Sequence, residues 1–184
     1  MAKIEEAFKK VLGLEFSTPA NALEWNEGEK GWTFMGIYEF AHPEWEGWST
    51  IKRELAADSN RAKVSTKLYY DQNLNMEVLK FYKVNFWDRM RLDEVVSQKI
   101  AEELFVFAVN AGIGTAVKVA QTCVGVQADG ILGSGTLKAL NGFDEKKFDK
   151  DFDLLEIKHY EMLAEKNPNF KKFLQGWKNR AVAV

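Results

Sequence analysis

The chain is poor in the residues that mark several protein classes. Its 184 residues include one cysteine, Cys123, so an internal disulfide framework is excluded. With only two histidines besides, His42 and His159, a structural zinc site is short of ligands. Three prolines leave no room for a proline-rich linker. Neither sign of charge is in excess: 25 Lys and Arg stand against 27 Asp and Glu, and a net charge of −2 lacks the basic footprint of a nucleic-acid binder. No window approaches the roughly 20 apolar residues of a membrane span. The opening MAKIEEAFKKVLGLEF interleaves charge with apolar residues, unlike a secretory signal. What is present is a 46% hydrophobic content, enough for the core of one ordinary domain or of a domain with a small appended lobe. Aromatic residues reach 13% and include six tryptophans. Large flat side chains serve cores, and they also serve surfaces that grip sugars or peptides.

Along the chain, Ile4, Ala7, Phe8, Val11 and Leu12 recur at the spacing of one helix face. Gly13 is expected to end that helix in a left-handed cap, leaving Glu15 just beyond it between Leu14 and Phe16. Residues 16–50 differ: they carry Trp25, Trp32, Trp45 and Trp48 with Pro19 and Pro43, and TFMGIYEF reads as a short strand or hairpin. Helical periodicity returns over 60–83, broken at DQNLN, and FYKVNFWDRMRLDEV reads as a connection. LDEVVSQKIAEELFVFAVNAG reads as a helix apolar on nearly all sides in its second half, so Leu104, Phe105 and Val109 are expected to be inaccessible. A short helix over 115–124 precedes the turn segment GVQADGILGSG, where Ser134 or Gly135 is expected to cap a helix opening near Thr136. Helices over 151–165 and 169–182 follow, separated by Asn167 as N-cap and Pro168 at the first helical position. The expected fold is mainly α, a helical domain with a small N-terminal β-hairpin or loop lobe. The expected division is a lobe over 1–95 and a helical region over 96–184 packed on it, the two making one compact unit.

Few residues carry chemistry by pattern. Glycoside hydrolysis needs a carboxylic acid held protonated beside the leaving oxygen, with a second carboxylate or a positioned water opposite. Glu15 has apolar neighbours that would disfavour its charged form, as a general acid requires; an exposed glutamate beside a helix end has the same pattern. Glu24, Glu27 and Glu29 are each placed to supply the second carboxylate, and Thr33 to hold a water; a solvated acidic loop is the plainer reading. The serines lack a nucleophile-elbow pattern, and GILGSGT lacks the lysine of a phosphate loop. Cys123, within VAQTCVGV, reads as a core thiol, and Asp129 lacks calcium-loop spacing.

Several segments together resemble glycoside hydrolase family 108, the lysozyme-like N-acetylmuramidases and secretion activators. Glu15 followed by EKGWTFMGIY resembles the family's glutamate and its threonine-containing turn. FWDRMRLDEV and LFVFAVNAGIGTAVKVAQ resemble the family's middle stretch and its following helix, where Phe107 preceded by Val106 or, by register, Phe105-Val106 stands for the family's Phe-Asp, so that the acidic position is lost. GVQADGILGSGTLKALN and GWKNRA resemble its C-terminal predicted peptidoglycan-binding module. The resemblance implies a lysozyme-like fold and an endolysin-like, prophage-type muramidase acting on peptidoglycan glycan strands. Glu15 would be the acid, with Glu29 or Glu27 and Thr33 assisting. Trp25, Trp32, Tyr38 and Trp87 would be sugar platforms, and Glu27 and Asn110 polar contacts, although each tryptophan equally suits packing of the small lobe. No metal or organic cofactor is implied. A monomer made in the cytoplasm and released through a holin-type pore is expected. Where the family has Glu-Gly-Gly-Tyr this chain has Glu15-Phe16-Ser17-Thr18, which keeps a second expectation open: a non-catalytic peptidoglycan-binding or secretion-accessory protein.

Overall fold

A computed structural model describes residues 1–15, 18–28 and 31–184, with the backbone alone at Glu15. The chain divides into two compact units: a small one over 11–84, and a large one made of residues 1–10 with 85–184.

The first helix, α1 (Ile4–Glu15), runs through Gly13, which does not take a left-handed conformation. The expected glycine stop is corrected: Glu15 is the last residue of the helix. Ala7 and Val11 are fully buried, so the anticipated apolar face is the one used.

In the small unit, β1 (Leu23–Asn26), β2 (Gly31–Phe34) and β3 (Ile37–Tyr38) form an antiparallel sheet in sequential order. β2 and β3 are joined by Met35 and Gly36, with φ of 48° and 82°. Two positive φ values across a two-residue loop are the signature of a hairpin turn whose twist matches its strands. The hairpin is pinned from below, because the Tyr82 hydroxyl donates to the Met35 carbonyl at 2.8 Å. β1 is pinned by Ser65, whose hydroxyl accepts from the Leu23 N–H at 3.0 Å and donates to the Pro19 carbonyl at 2.7 Å. Three helices complete the unit: α2 (Gly47–Ala57), α3 (Arg61–Tyr69) and α4 (Gln72–Tyr82). Asn60 and Asp71 cap the last two with side-chain oxygens, so the expected break in the DQNLN tract falls at its first residue. Trp45 and Trp48 are buried beneath the sheet in edge-to-face contact at 5.2 Å, and serve the core.

The segment read as a connection is a π turn over Lys83–Trp87 followed by two short 3-10 turns. Helix α5 (Gln98–Ala111) then begins six residues later than the LDEV run suggested. Ser97 stops any earlier start: its backbone is extended and its side chain accepts from the Ile100 N–H at 3.1 Å. Leu104 and Phe105 are fully buried as expected, whereas Val109 is only half-buried and is corrected.

In the large unit α5 packs against α6 (Ile113–Cys123) and α8 (Glu145–Lys166), and α8 in turn against α9 (Lys171–Ala181). Phe107 makes edge-to-face contacts with Phe152 and Tyr160, both at 5.8 Å. Helix α7 (Ser134–Asn141) opens two residues before Thr136 with Gly133 at its cap, so neither Ser134 nor Gly135 caps it. The turn before it is organised by buried Gln121, whose amide nitrogen donates to Asp129, Ile131 and Thr136 and whose oxygen accepts from the Gly130 N–H. Asp129 is thereby committed to holding its own turn. Asn167 caps the turn that opens with Pro168, as the spacing required.

Candidate functional site

Strand register decides which of the named residues meet. Leu23, Phe34 and Ile37 are paired across the three strands and are buried, which fixes one face of the sheet toward the core. Two residues along on that same face stand Trp25 and Trp32, paired across β1 and β2, with Glu39 next to Trp32. The opposite face carries Glu24, Thr33 and Tyr38, again paired in register. The candidates therefore split into two sets on opposite sides of one thin sheet.

On the Thr33 face, Glu24 is exposed while Thr33 and Tyr38 are half-buried. The Tyr38 ring lies over Gly31, where a Cβ would come within 3.1 Å of it, so the absence of a side chain there lets the ring close onto the strand. Glu27 follows β1 directly and is exposed. Glu15 ends α1, with its side chain outside the described residues, as is all of Glu29. This face can offer a carboxylate, a hydroxyl and an aromatic ring to one ligand.

On the other face, Trp25 and Trp32 meet edge to face, with centroids 5.1 Å apart and planes at 70°. Beside them Glu39 is bound to Lys52 at 2.7 Å and accepts from the Trp32 N–H at 3.2 Å. Burial alone would raise the Glu39 pKa. The Lys52 ammonium and the Trp32 N–H outweigh it and hold the carboxyl below the usual range, so Glu39 is a fixed anion rather than a proton donor. Glu39 and Lys52 were missed in the sequence. Alternation from Tyr38 points Glu39 toward the Trp32 side, but that inference needs the register first.

Two other expected contacts lie in the large unit. Trp87 is corrected outright: it is fully buried, its indole N–H donates to Asp93 at 2.7 Å, and its ring packs against Phe105 at 5.5 Å. A ring with no exposed face cannot stack a sugar. Asn110 is exposed, and its amide donates to the Tyr160 hydroxyl at 2.5 Å. Tyr160 in turn donates to buried Glu156 at 3.1 Å.

The large unit also gathers acids. Among the described residues, Glu103, Asp149 and Asp153 bring carboxylate oxygens within 4.8 Å of one another. Lys99 occupies this cluster, 3.0 Å from Glu103 and 2.7 Å from Asp149, so an amine already supplies the positive charge a cation would bring. Burial pushes Glu103 up to about 8, Glu156 to about 7 and Asp153 to about 6. Burial likewise raises the half-buried Cys123 thiol to about 11, leaving it an unreactive packing group, as read from its apolar helix.

Residues 23–112 match the model of glycosyl hydrolase 108, and residues 115–182 match that of a predicted peptidoglycan domain. No curated protein matches the chain. Among solved structures it resembles SagA of Brucella abortus, at 19% identity and a TM-score of 0.59, over 97% of this chain and 93% of that one. That likeness concerns the fold, which is mainly α with a small β lobe. Residues 23–112 are thus similar to the glycosyl hydrolase 108 family, and residues 115–182 to the predicted peptidoglycan domain.

Proposed function

We propose that the protein is a muramidase, hydrolysing the β-1,4 bond between N-acetylmuramic acid and N-acetylglucosamine in peptidoglycan. The observation that carries this reading is the match of residues 23–112 to a glycosyl hydrolase followed directly by a peptidoglycan domain. In this reading Glu15, at the end of α1, protonates the glycosidic oxygen. A second carboxylate, Glu29 or Glu27, offsets positive charge at the anomeric carbon or orients water, and Thr33 holds that water. The Glu24–Thr33–Tyr38 face supports this assignment by offering Thr33 to a ligand with an acid and a ring beside it. Residues 1–95 form the catalytic lobe and residues 96–184 the wall-binding region. The enzyme acts as a monomer, accumulates in the cytoplasm and reaches the wall through a holin-type pore, in the manner of a prophage endolysin.

The test is turbidity of purified cell walls with wild type beside Glu15→Gln. Clearing by wild type and none by the variant is the expected result; equal clearing removes Glu15 from the mechanism. One observation favours a second reading: Phe16-Ser17-Thr18 replaces the glycines expected after the glutamate. A non-catalytic wall-binding or secretion-accessory protein would bind those walls without clearing them.

A further inference from the structure

The face of the sheet that Thr33 does not share has a cleft of its own, lying wholly within the small unit. It is lined by Trp25, Trp32, Glu39, Phe40, Pro43 and Lys52, with Gly31 at its edge, and holds about 640 Å³. That is within the range of about 300–1,000 Å³ usual for small-molecule sites. Trp25 is 39% exposed and Phe40 77%, whereas Trp45, Trp48 and Trp87 are buried. The aromatic surface here is left to solvent beside two polar groups held in place.

Those polar groups select the kind of ligand. Glu39 and Lys52 neutralise each other at 2.7 Å, and the Trp32 N–H fixes the second oxygen of Glu39. The cleft therefore offers anchored donors and acceptors with no net charge, which suits a neutral, hydroxyl-rich ligand better than a phosphate or a nucleic acid. A pyranose meets this description: its C–H face lies on an indole, while its hydroxyl and acetamido edges reach the acceptor and the donor. Successive residues of a strand face opposite sides, so Trp32 and Thr33 cannot hold the same sugar ring.

We propose that this cleft is a second glycan-holding site, which takes one or two N-acetylated sugar residues of a wall glycan away from the point of cleavage. The choice of sugar rests on the peptidoglycan-hydrolase reading. The cleft itself rests on the register and its lining, and its separation from the point of cleavage on the place of Thr33 in that same reading. Such a site would keep the small unit on the wall between cleavage events.

The experiment titrates tetra-N-acetylchitotetraose into the full chain labelled at its tryptophan indole nitrogens, with signals assigned through Trp25→Ala and Trp32→Ala. The Trp25 and Trp32 signals should shift while that of buried Trp87 stays fixed. Trp25→Ala should weaken this binding about tenfold, and Trp25→Phe should recover part of it. The proposal is overturned if those two signals do not move, or if both alanine variants bind as wild type does. It is equally overturned if a soluble stem peptide moves them and the oligosaccharide does not. Wall clearing measured on the same samples separates the two readings. Clearing with unmoved indoles removes the second site alone; moved indoles without clearing remove the muramidase reading and leave the sugar site standing.

Discussion

Glu24 and Thr33 are a cross-strand pair, on β1 and β2, with their side chains on one face of the sheet. Directly opposed residues of an antiparallel ladder have Cβ atoms about 4.5–5.5 Å apart, so the carboxylate and the hydroxyl can address one water or one sugar hydroxyl. Thr33→Val keeps the branched shape and removes the hydroxyl. It should lower wall clearing about tenfold, the worth of one good hydrogen bond, with little change in melting temperature. Unchanged clearing would show that Thr33 positions nothing.

Glu15→Gln should abolish clearing. The amide matches the acid in size but has no proton to give, and general acid catalysis contributes about two to four orders of magnitude. Because Glu15 is the last residue of α1, the substitution should leave thermal unfolding nearly unchanged. Activity within about threefold of wild type would exclude it as the acid.

Ser65 is fully buried and links two chain segments through one hydroxyl. In Ser65→Ala the Leu23 N–H and the Pro19 carbonyl both lose that partner. The expected cost is about 1–3 kcal/mol, read as a lower denaturant midpoint with an unchanged slope.

At Met35 two effects oppose each other. Its positive φ of 48° costs about 1–2 kcal/mol for a residue with a Cβ, which glycine would relieve. The side chain is only 2% exposed, and emptying a buried methionine site costs about 2–5 kcal/mol. Burial is the larger quantity, so Met35→Gly should destabilise despite the turn geometry; a raised melting temperature would reverse that ranking.

Stability should fall as pH rises from 6.5 to 8.5. Glu103 and Glu156 retain a proton in the folded chain up to about 8 and about 7, whereas the unfolded chain releases it near 4.5. Across that interval the folded state binds more protons, and each excess proton removes about 1.4 kcal/mol of stability per pH unit. The groups facing Glu103 are Lys99, Asp149 and Asp153. His159, lowered chiefly by burial and then by Lys166, acts in the opposite direction only below its ordinary 6.5. Glu103→Gln should flatten the melting-temperature profile between pH 6.5 and 8.5. A profile as steep as that of wild type would assign the dependence to other groups.

Local signals were sufficient for much of this chain. The spacing of Ile4, Ala7 and Val11 specifies α1, Asn167-Pro168 specifies the stop before the last helix, and TFMGIYEF specifies a hairpin, because caps, turns and apolar periodicity act over a few residues. The several motifs in order also pointed to the family. Gly13 misled because a glycine permits a helix end without enforcing one, and α1 continued through it to Glu15. What no local pattern contains is register. Trp25, Trp32, Tyr38 and Trp87 look alike in sequence as exposed platforms, yet packing buries Trp87 completely and pairing sends Tyr38 to one face and the other two tryptophans to the opposite one. A shift of one residue in the β1–β2 pairing would exchange those faces. That choice was made by the burial of Leu23, Phe34 and Ile37, which only the folded chain brings together.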